Sequence, residues 1–525
     1  MDEEDPGISR GPKQGIGQVT RRGASREFRL LEGSHAMKTI LAGWLAALLC
    51  FVLPQVAPGQ ESRFELGQRL RAFEVAWERE TDAQARAKAV PHLNAAVRDF
   101  FSFRLDQAAH SLDRARFAVQ ADSAPAASVA WATALSLRPG TRLVDRATAS
   151  LEISLAPFYK VEGDVPKDTA IHLALRDGAA KTTTAAQDEV LKLPWRGKLP
   201  LAAVPEGDYQ LTAEIIIGKD RIALNPQTFS VAANTTSRLQ SLEDGLGRIK
   251  AKPNTTQRAT IAAHLGILKS LVAKETPETN YPAARLLAEA EAAMKIVATG
   301  GDYFGKARPG EFWITLANDQ RSLPVRLMAP ESVTKGKTLP LVIALHGAGG
   351  SENMFFDAYG NGKIAELCRQ RGWLLVAPRL SFFGMGMPVD RMIAEISQLY
   401  PVDKRQVFIV GHSMGAMQAI NLAQQAGEPL AAVAAVSGGG RVGKPGTWTK
   451  TAFLVIAGDQ DFGLPGARRL SQALRTAGSG DVRLKEYKDA EHLGVVQAAL
   501  GEVFSFFDEI AAKVSGSNVA APAER

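Results

Sequence analysis

The spacing of apolar side chains divides the N-terminal half of the chain into helical and strand-like stretches. In residues 61–120, apolar residues recur at helical spacing with charged residues between them. From about residue 140 to 233 they alternate with polar residues, as at Leu151 and Ile153, which is typical of strands with one buried face. Helical spacing returns in residues 239–297. The pattern predicts a small β-sandwich between two helical regions.

The C-terminal half has a different pattern, in which short runs are apolar throughout and helix-sized segments separate them. The runs lie at 340–345, 373–377, 406–410, 431–436 and 452–457. Strands that are apolar on both faces are typical of a parallel sheet that helices cover on both sides. The sequence therefore predicts an α/β domain over residues 312–513.

These changes of pattern, with Gly- and Pro-rich stretches between them, predict eight segments. They are a disordered extension or mis-start (1–36), a signal peptide (37–59), a helical region (60–138), a β-sandwich-like domain (139–234), a second helical region (235–298), a linker (299–311), the α/β domain (312–513) and a disordered tail (514–525). The predicted fold class is α/β, with a mainly parallel sheet preceded by helical segments and the small β domain.

Residues 37–59 have the features of a secretory signal. The segment opens with Met-Lys, continues with an apolar core of about 14 residues from Ile40 to Leu53, and ends with small residues at Ala57 and Gly59. The core is shorter than the ~20 residues that a membrane-spanning helix needs, and a membrane-anchoring helix is the alternative. The sequence therefore predicts a secreted or periplasmic protein that no membrane holds after signal cleavage.

Composition and charge exclude several classes of protein. The chain is 46% hydrophobic and 22% charged, which excludes wholesale disorder. Its net charge of +7 is not gathered into a basic stripe with interleaved aromatics, so nucleic acid is not an expected partner. Cys50 falls in the predicted signal, and Cys368 then stands alone, which excludes an intramolecular disulfide and a cysteine metal site. No metal or other cofactor is predicted.

The sequence G-H-S-M-G at residues 411–415 matches the pattern G-x-S-x-G in a specific context. A predicted strand, 407–410, leads into it, and a predicted helix, 416–425, leaves it. A sharp strand-to-helix turn brings backbone atoms close together, so glycines flank the serine and its hydroxyl projects above the carboxyl edge of the sheet. This context predicts Ser413 as a nucleophile.

A serine nucleophile needs a base, and the base needs an acid that orients it. His492 is the only histidine that follows Ser413 in the sequence. Two aspartates follow the apolar run 452–457. Asp461 is favoured as the acid because it lies further out on the loop, where it can turn back to the imidazole, whereas Asp459 is the alternative, with a turn-forming role. The predicted triad is Ser413, Asp461 and His492.

The apolar run 340–345 ends in the glycine-rich turn H-G-A-G-G at 346–350. Such a turn presents backbone N–H groups to the oxyanion of a tetrahedral intermediate. The N–H of Ala348 or of Gly347 is the predicted first donor, and that of Met414 is the second. A phosphate-binding loop is the alternative, but the lysine and hydroxyl of G-x-x-x-x-G-K-[ST] are missing.

Four stretches, in the same order, resemble the α/β-hydrolase superfamily. They are L-H-G-A-G-G-S-E-N-M-F-F, Y-P-V-D-K-R-Q-V-F-I-V-G-H-S-M-G-A, A-G-D-Q-D and D-A-E-H. More narrowly, they are similar to the secreted bacterial branch that includes feruloyl esterases, polyhydroxybutyrate depolymerases and phospholipase/carboxylesterase-type enzymes. The resemblance covers residues 312–513 and implies Ser413 as nucleophile, Asp461 as acid and His492 as base. It does not extend to residues 61–298.

The resemblance implies a serine carboxylesterase that forms an acyl-enzyme with aryl (feruloyl-type) or short-acyl esters, either small or linked to a polymer. One alternative is a prolyl-oligopeptidase-type serine peptidase, although its accessory propeller is larger than a β region of about 95 residues can form. Another is a non-catalytic binding protein on the same fold. The complete set of predicted catalytic groups favours the enzyme.

Phe355, Phe382 and Phe383 lie on segments that leave strands at the same edge as the nucleophile. They are candidates to line an apolar substrate pocket, and core packing is the alternative. Since all catalytic groups are predicted in the α/β domain, residues 61–298 are expected to act on stability or on access of bulky substrates. A chain truncated near Asp302 is then expected to keep turnover of a small acyl ester if it stays soluble.

Overall fold

The structure is a computed structural model of the chain, and it describes residues 58–121, 124–249, 255–318, 321–381 and 384–516. The predicted extension (1–36) and all but the last two residues of the predicted signal lie outside the described residues, as do 517–525 of the predicted tail. In the ranges that the structure describes, no helix combines the length and apolar character needed to cross a membrane.

Three amphipathic helices and a short fourth one open the described chain. They are α1 (Pro58–Arg79), α2 (Ala83–Phe101), α3 (Leu105–Gln120) and α4 (Ala127–Thr133). The buried residues of α2, among them Ala89, Leu93 and Ala96, follow helical spacing. In the bundle, Arg69 of α1 forms a buried ion pair with Asp113 of α3, which fixes these two helices against each other.

The strands that follow form two sheets over a shared apolar core. They are β1 (Leu135–Pro139), β2 (Leu143–Asp145), β3 (Ser150–Pro157), β4 (Thr169–Arg176), β5 (Thr182–Glu189), β6 (Trp195–Pro200), β7 (Gly207–Ile217), β8 (Asp220–Ala223) and β9 (Gln227–Ala232). One sheet has the order β1-β3-β6, and the other has the order β2-β9-β7-β4-β5 with β8 paired to β7. Buried positions alternate along β7, as in a sheet with one face on the core. These sheets form the predicted β-sandwich-like domain.

An eight-stranded sheet forms the centre of the α/β domain. Its strands are β10 (Gly310–Ala317), β11 (Ser322–Ala329), β12 (Leu339–Leu345), β13 (Leu374–Pro378), β14 (Val402–His412), β15 (Ala432–Val436), β16 (Ala452–Gly458) and β17 (Val482–Tyr487). The order across the sheet is β10-β11-β13-β12-β14-β15-β16-β17. Strand β11 pairs antiparallel with β10 and β13 at one end of the sheet, and the strands from β12 to β17 are parallel. The predicted α/β fold is confirmed.

Helices cover both faces of this sheet. They are α8 (Met354–Asp357), α9 (Lys363–Arg371), α10 (Val389–Leu399), α11 (Met414–Gln425), α12 (Leu464–Thr476) and α13 (Gly494–Gly516). Successive residues of β12 point to opposite faces, so Leu341 and Ile343 join the apolar cluster that includes α10, α11 and α12. Val342 and Ala344 join the cluster that includes α9 and α13. This two-sided burial explains why the strand runs are apolar throughout.

Three further helices, α5 (Thr235–Arg248), α6 (Thr256–Val272) and α7 (Ala283–Val297), pack on the β10 end of the sheet. Side chains of α6 that are four residues apart bond to the backbone of β10 in place of another strand. The bonds are Ala317 N–H to Thr256 Oγ1 (3.0 Å), Thr315 N–H to Thr260 Oγ1 (3.0 Å) and His264 Nε2–H to the Trp313 carbonyl (2.8 Å). The helix thus satisfies backbone groups that an edge strand otherwise exposes.

Several predicted boundaries differ from those in the structure. Helix α1 begins at Pro58, inside the predicted signal (37–59), and strand β1 begins at Leu135, inside the predicted helical region (60–138). Strand β10 begins at Gly310, which pairs with Ala329, so the sheet starts inside the predicted linker (299–311). Helix α13 continues to Gly516, so the first three residues of the predicted tail are helical. The helix continues because Val514 still packs against the apolar cluster of α13.

The carboxyl ends of the parallel strands meet at one edge of the sheet. The loop 346–350 follows β12, and Ser413 follows β14 directly. Asp461 follows β16, and His492 follows β17. The topology therefore brings together four segments that are up to 146 residues apart in the sequence.

Candidate active site

Ser413 sits on a sharp turn between β14 and α11. Its backbone has φ 56° and ψ −113°, a conformation that costs a non-glycine residue about 1–3 kcal/mol and persists only where the surroundings enforce it. A Cβ on Gly411 would overlap the carbonyl oxygen of Gly415, and a Cβ on Gly415 would overlap that of Leu345. The two glycines are therefore required by close backbone approach, as the sequence pattern predicts.

The structure places Ser413, His492 and Asp461 in one hydrogen-bonded series. His492 Nε2 lies 2.9 Å from Ser413 Oγ, and His492 Nδ1 lies 2.9 Å from Asp461 Oδ1. All three side chains are buried. An aspartate on Nδ1 fixes the tautomer in which Nδ1 carries the proton, so Nε2 is free to accept the serine proton. Asp459, the alternative acid, is exposed.

Asp461 is held in its charged form. Burial raises the pKa of this carboxyl, but the hydrogen bond from His492 and the N–H of Gly463, 2.7 Å from Oδ1, outweigh burial and lower the pKa below its ordinary value. A carboxylate at this position stabilises the imidazolium that forms when His492 takes a proton.

A second histidine, His412, hydrogen-bonds to the backbone of His492. Its Nε2–H donates to the backbone carbonyl of His492 (2.9 Å), and its Nδ1 accepts from the hydroxyl of Tyr359 (2.5 Å). Burial lowers the pKa of His412 to about 3, so the ring is neutral and can bridge the two groups. His412 lies inside the motif at 411–415, but the motif pattern indicates no role for this position. Nothing in the sequence near Tyr359 indicates its contact with His412.

The candidate oxyanion donors are the backbone N–H groups of Met414 and of the turn after β12. Met414 is the first residue of α11, and N–H groups in the first turn of a helix have no intrahelical partner. In the turn, Gly347 and Ala348 both line the cavity over Ser413, so both predicted donors stay candidates. His346 holds the turn through its Nδ1, 2.8 Å from the Gly347 carbonyl.

A cavity of about 150 Å³ lies over Ser413. Its floor contains Ser413, His492 and the turn at 347–350, and its walls come from the three N-terminal helices. Wall residues include Leu66 and Leu70 of α1, Val97 and Phe100 of α2, and Ala108 and Leu112 of α3. The expectation that residues 61–298 act only on stability or access is therefore incomplete, because α1, α2 and α3 form part of the site itself.

Of the three phenylalanines predicted to line the pocket, Phe355 is described by the structure and does not form the pocket walls. Phe355 is fully buried in the cluster under α13 and packs edge-to-face on Tyr359, with ring centroids 4.9 Å apart. It belongs to the core because α8 turns its side chain toward the sheet. Phe382 and Phe383 lie outside the described residues.

Another aromatic residue lies against the candidate base. Phe462 is 42% exposed, and its ring centroid is 4.2 Å from that of His492. It follows Asp461 directly in the sequence, so the same loop carries the acid and this ring. Phe462 lies in no motif, and its exposure next to His492 follows only from the fold.

The structure gives no sign of a metal centre in the part of the chain that it describes. No group of three or more histidine, cysteine or carboxylate side chains in those ranges is placed to hold a metal ion. Cys368 lies fully buried in α9, and burial raises the pKa of its thiol, so it packs as an apolar residue.

Comparison with known families decides how the C-terminal half is classified. The model of the Alpha/beta hydrolase family matches residues 342–515. Residues 342–515 form an alpha/beta hydrolase domain. The resemblance to this superfamily is thereby confirmed. No curated protein matches the chain.

Solved structures resemble this alpha/beta hydrolase domain at low identity. An S-formylglutathione hydrolase from Staphylococcus aureus is 14% identical, with a TM-score of 0.32, over 38% of this chain and 99% of that one. A ferulic acid esterase is 18% identical, with a TM-score of 0.34, over 39% and 99%. A thermostable esterase is 16% identical, with a TM-score of 0.35, over 71% and 99%. Likeness at this level carries no argument about the reaction of this chain.

Proposed function

We propose that this protein is an exported serine esterase that hydrolyses carboxylic esters through an acyl-enzyme. The observation that carries the proposal is the series Ser413–His492–Asp461, joined by two 2.9 Å contacts and opening on an apolar cavity. Export rests on the predicted signal at 37–59 alone.

In the proposed reaction, Ser413 Oγ attacks the ester carbonyl carbon while His492 Nε2 takes the hydroxyl proton. The carbonyl oxygen becomes an oxyanion, which the N–H groups of Met414 and of either Ala348 or Gly347 stabilise. The carbon–oxygen bond to the alcohol then breaks, and the departing oxygen receives the proton from His492. A water molecule gives its proton to His492 and attacks the acyl carbon. Collapse of the second intermediate returns the proton to Ser413 and releases the carboxylic acid.

The structure favours the esterase over both alternatives. A prolyl-oligopeptidase-type peptidase needs a propeller of repeated four-stranded blades, whereas the described β region forms two sheets of three and six strands. A binding protein has no use for a serine held in a strained turn within hydrogen-bond distance of a histidine.

The test replaces the nucleophile. Ser413→Ala removes the attacking oxygen while Gly411 and Gly415 still form the turn, so we expect at least a ~10³-fold loss of kcat on p-nitrophenyl acetate with unchanged circular dichroism. Ser505→Ala is the matched control, because Ser505 lies exposed on α13 and bonds only to its own helix at Gly501.

Two results would refute the proposal. One is near-normal ester hydrolysis by folded Ser413→Ala protein. The other is a mature protein that cleaves chromogenic peptides but none of a panel of p-nitrophenyl esters, which would favour the peptidase.

A further inference from the structure

We infer that helices α1, α2 and α3 form the acyl-binding pocket of this enzyme, and that its preferred substrates carry an apolar acyl group of about six carbon atoms. The inference rests on the proposed esterase activity and adds the substrate class. It assigns recognition of the acyl group to a segment outside the alpha/beta hydrolase domain.

Apart from Arg63 of α1, which is exposed, the walls of the cavity are apolar on all three helices. Leu66 and Leu70 are one turn apart on α1, Val97 lies on α2, and Ala108 and Leu112 are one turn apart on α3. Residues three or four positions apart share one face of a helix, so each helix presents an apolar stripe to the same space. Apolar walls of this kind favour an alkyl or aryl group.

The volume of the cavity limits the size of the acyl group that it can hold. Its volume is about 150 Å³, and an apolar cavity of about that volume in a protein core accommodates benzene, a molecule of six carbons. A hexanoyl chain and a benzoyl ring both have this size. The shared chemistry is thus an apolar acyl group of about six carbons, and the experiment below separates the linear form from the aromatic form.

In the inferred binding mode, the cavity lies on the acyl side of the scissile bond. Phe100 of α2 rests on the turn that holds the candidate oxyanion donors, since a Cβ on Gly349 would come within 2.5 Å of its ring. The carbonyl oxygen must point at this turn, so the carbon chain next to it enters the space between the helices. The alcohol leaves beside His492, which gives it a proton, and there the exposed Phe462 borders solvent.

Polar contacts hold α1 in place against the hydrolase domain. Glu74 Oε2 accepts from the N–H of Gly360 (2.7 Å), and Arg71 Nε donates to Asn361 Oδ1 (2.8 Å). One turn further along, Glu78 Oε2 accepts from Gln497 Nε2 (2.7 Å). These contacts involve the segment that follows α8 and the helix α13, so the wall is formed before substrate binds.

The decisive variant is Gly67→Leu. Gly67 lies on α1 and lines the cavity, and a Cβ built there meets no atom within 4 Å. A Cβ at this position therefore meets open space, so we expect a leucine side chain to take up part of the cavity. Replacing glycine inside a helix also favours the helix. Gly501→Leu is the matched control, because Gly501 is an exposed helical glycine on α13 with the same open surroundings. Leu112→Ala makes the opposite change and enlarges the cavity.

The measurement is kcat/KM of each protein on p-nitrophenyl acetate, hexanoate, octanoate and benzoate. Wild type should prefer hexanoate or benzoate to acetate, and the better of the two identifies the linear or the aromatic form. Gly67→Leu should lower the ratio of that ester to acetate about 10-fold, and Gly501→Leu should leave it unchanged. Leu112→Ala should raise the ratio of octanoate to hexanoate several-fold.

Each contrary outcome overturns a different statement. If Gly67→Leu and Leu112→Ala keep the wild-type ratios, the cavity is not the acyl pocket, and the proposed esterase activity stands. If wild type hydrolyses none of the esters, the proposed function fails. A loss of folded protein lowers the rates on all esters by the same factor, so it cannot imitate a change of ratio.

Discussion

Asp459 and Asp461 stand two residues apart after β16, and the chain itself therefore offers a matched test of the triad. Asp461 lies 2.9 Å from His492 Nδ1, whereas Asp459 is exposed and its backbone N–H donates to the carbonyl of Tyr487. The difference between the two positions comes from the loop, because the chain turns back toward His492 only after Gln460.

We expect Asp461→Asn to lower kcat on p-nitrophenyl acetate by about 10⁴-fold, because the imidazole loses both its charge partner and its tautomer. Asp459→Asn should change kcat less than about threefold, as surface substitutions usually cost within 0.5 kcal/mol. Steady-state kinetics of the two purified variants, with circular dichroism as a check of folding, make the comparison. The reverse ranking would assign the acid to Asp459.

At the scale of single residues, the sequence predicted the groups that a motif or the chain order singles out. Ser413 has the G-x-S-x-G pattern, and His492 follows it as the sole later histidine. Tyr359 and Phe462 reach the site only through folding, and neither lies in a motif. Phe355 was predicted to line the pocket but lies in the core. The sequence does not separate the two cases, because a core phenylalanine and a pocket phenylalanine have the same sequence pattern.

At the scale of elements, helix α6 takes the place of a neighbouring strand beside β10, because its side chains bond to the backbone of that edge strand. Polar residues at spacing four, such as Thr256, Thr260 and His264, are usually read as the solvated face of a helix. Here they are buried and bond to β10. The sequence predicted the helix and the strand runs from β12 to β16, but the pairing of a helix with a sheet edge is a tertiary contact that periodicity does not encode.

The buried His264 gives this contact a predictable pH dependence. Burial lowers its pKa to about 4 in the folded chain, whereas an exposed histidine has a pKa of about 6.5. Between these values the unfolded chain binds a proton that the folded chain does not, so the contribution of His264 to stability is complete above pH 6.5 and is lost as the pH falls toward 4.

His264→Gln removes the titration and keeps a donor for the Trp313 carbonyl. We expect the free energy of unfolding of wild type, relative to this variant, to fall by about 2 kcal/mol between pH 7.5 and pH 5. Urea unfolding of both proteins at several pH values measures the difference, in which the other buried groups cancel. A difference that stays constant with pH would mean that His264 is not held neutral by burial.

At the scale of the whole molecule, helices α5, α6 and α7, with Leu143 and Ala232 of the β domain, share one core with the hydrolase domain. The other core residues of the β domain form a separate cluster. The apolar cluster on one face of the eight-stranded sheet includes Leu265 and Leu268 of α6 and Leu286 and Leu287 of α7. Helix α1 hydrogen-bonds to α13 and forms one wall of the cavity over Ser413. The sequence predicted these segments as separate units because changes of period mark where elements begin and end, and they say nothing about which units pack together.

This sharing changes the expected outcome of a truncation at Asp302. The sequence alone favours a self-sufficient catalytic half, but the cut removes α5, α6 and α7 from the β10 end of the sheet and removes α1, α2 and α3 from the site. The apolar surface that α6 and α7 cover becomes exposed, and exposed patches of this kind lead to aggregation. The backbone groups of β10 lose their side-chain partners and leave a free sheet edge, which invites pairing between molecules.

We therefore expect residues 302–525 to form aggregates, whereas residues 58–525 stay soluble and unfold in one transition, because a shared core couples its parts. Size-exclusion chromatography checks the first point. For the second, tryptophan fluorescence, far-ultraviolet circular dichroism and loss of p-nitrophenyl acetate hydrolysis should report the same urea midpoint. Trp131 in the β-domain core and Trp448 in the hydrolase core make the fluorescence sensitive to both halves. A soluble 302–525 fragment with undiminished acetate turnover would contradict this coupling, since the hydrolase domain would then fold and act without the helices that cover its sheet edge.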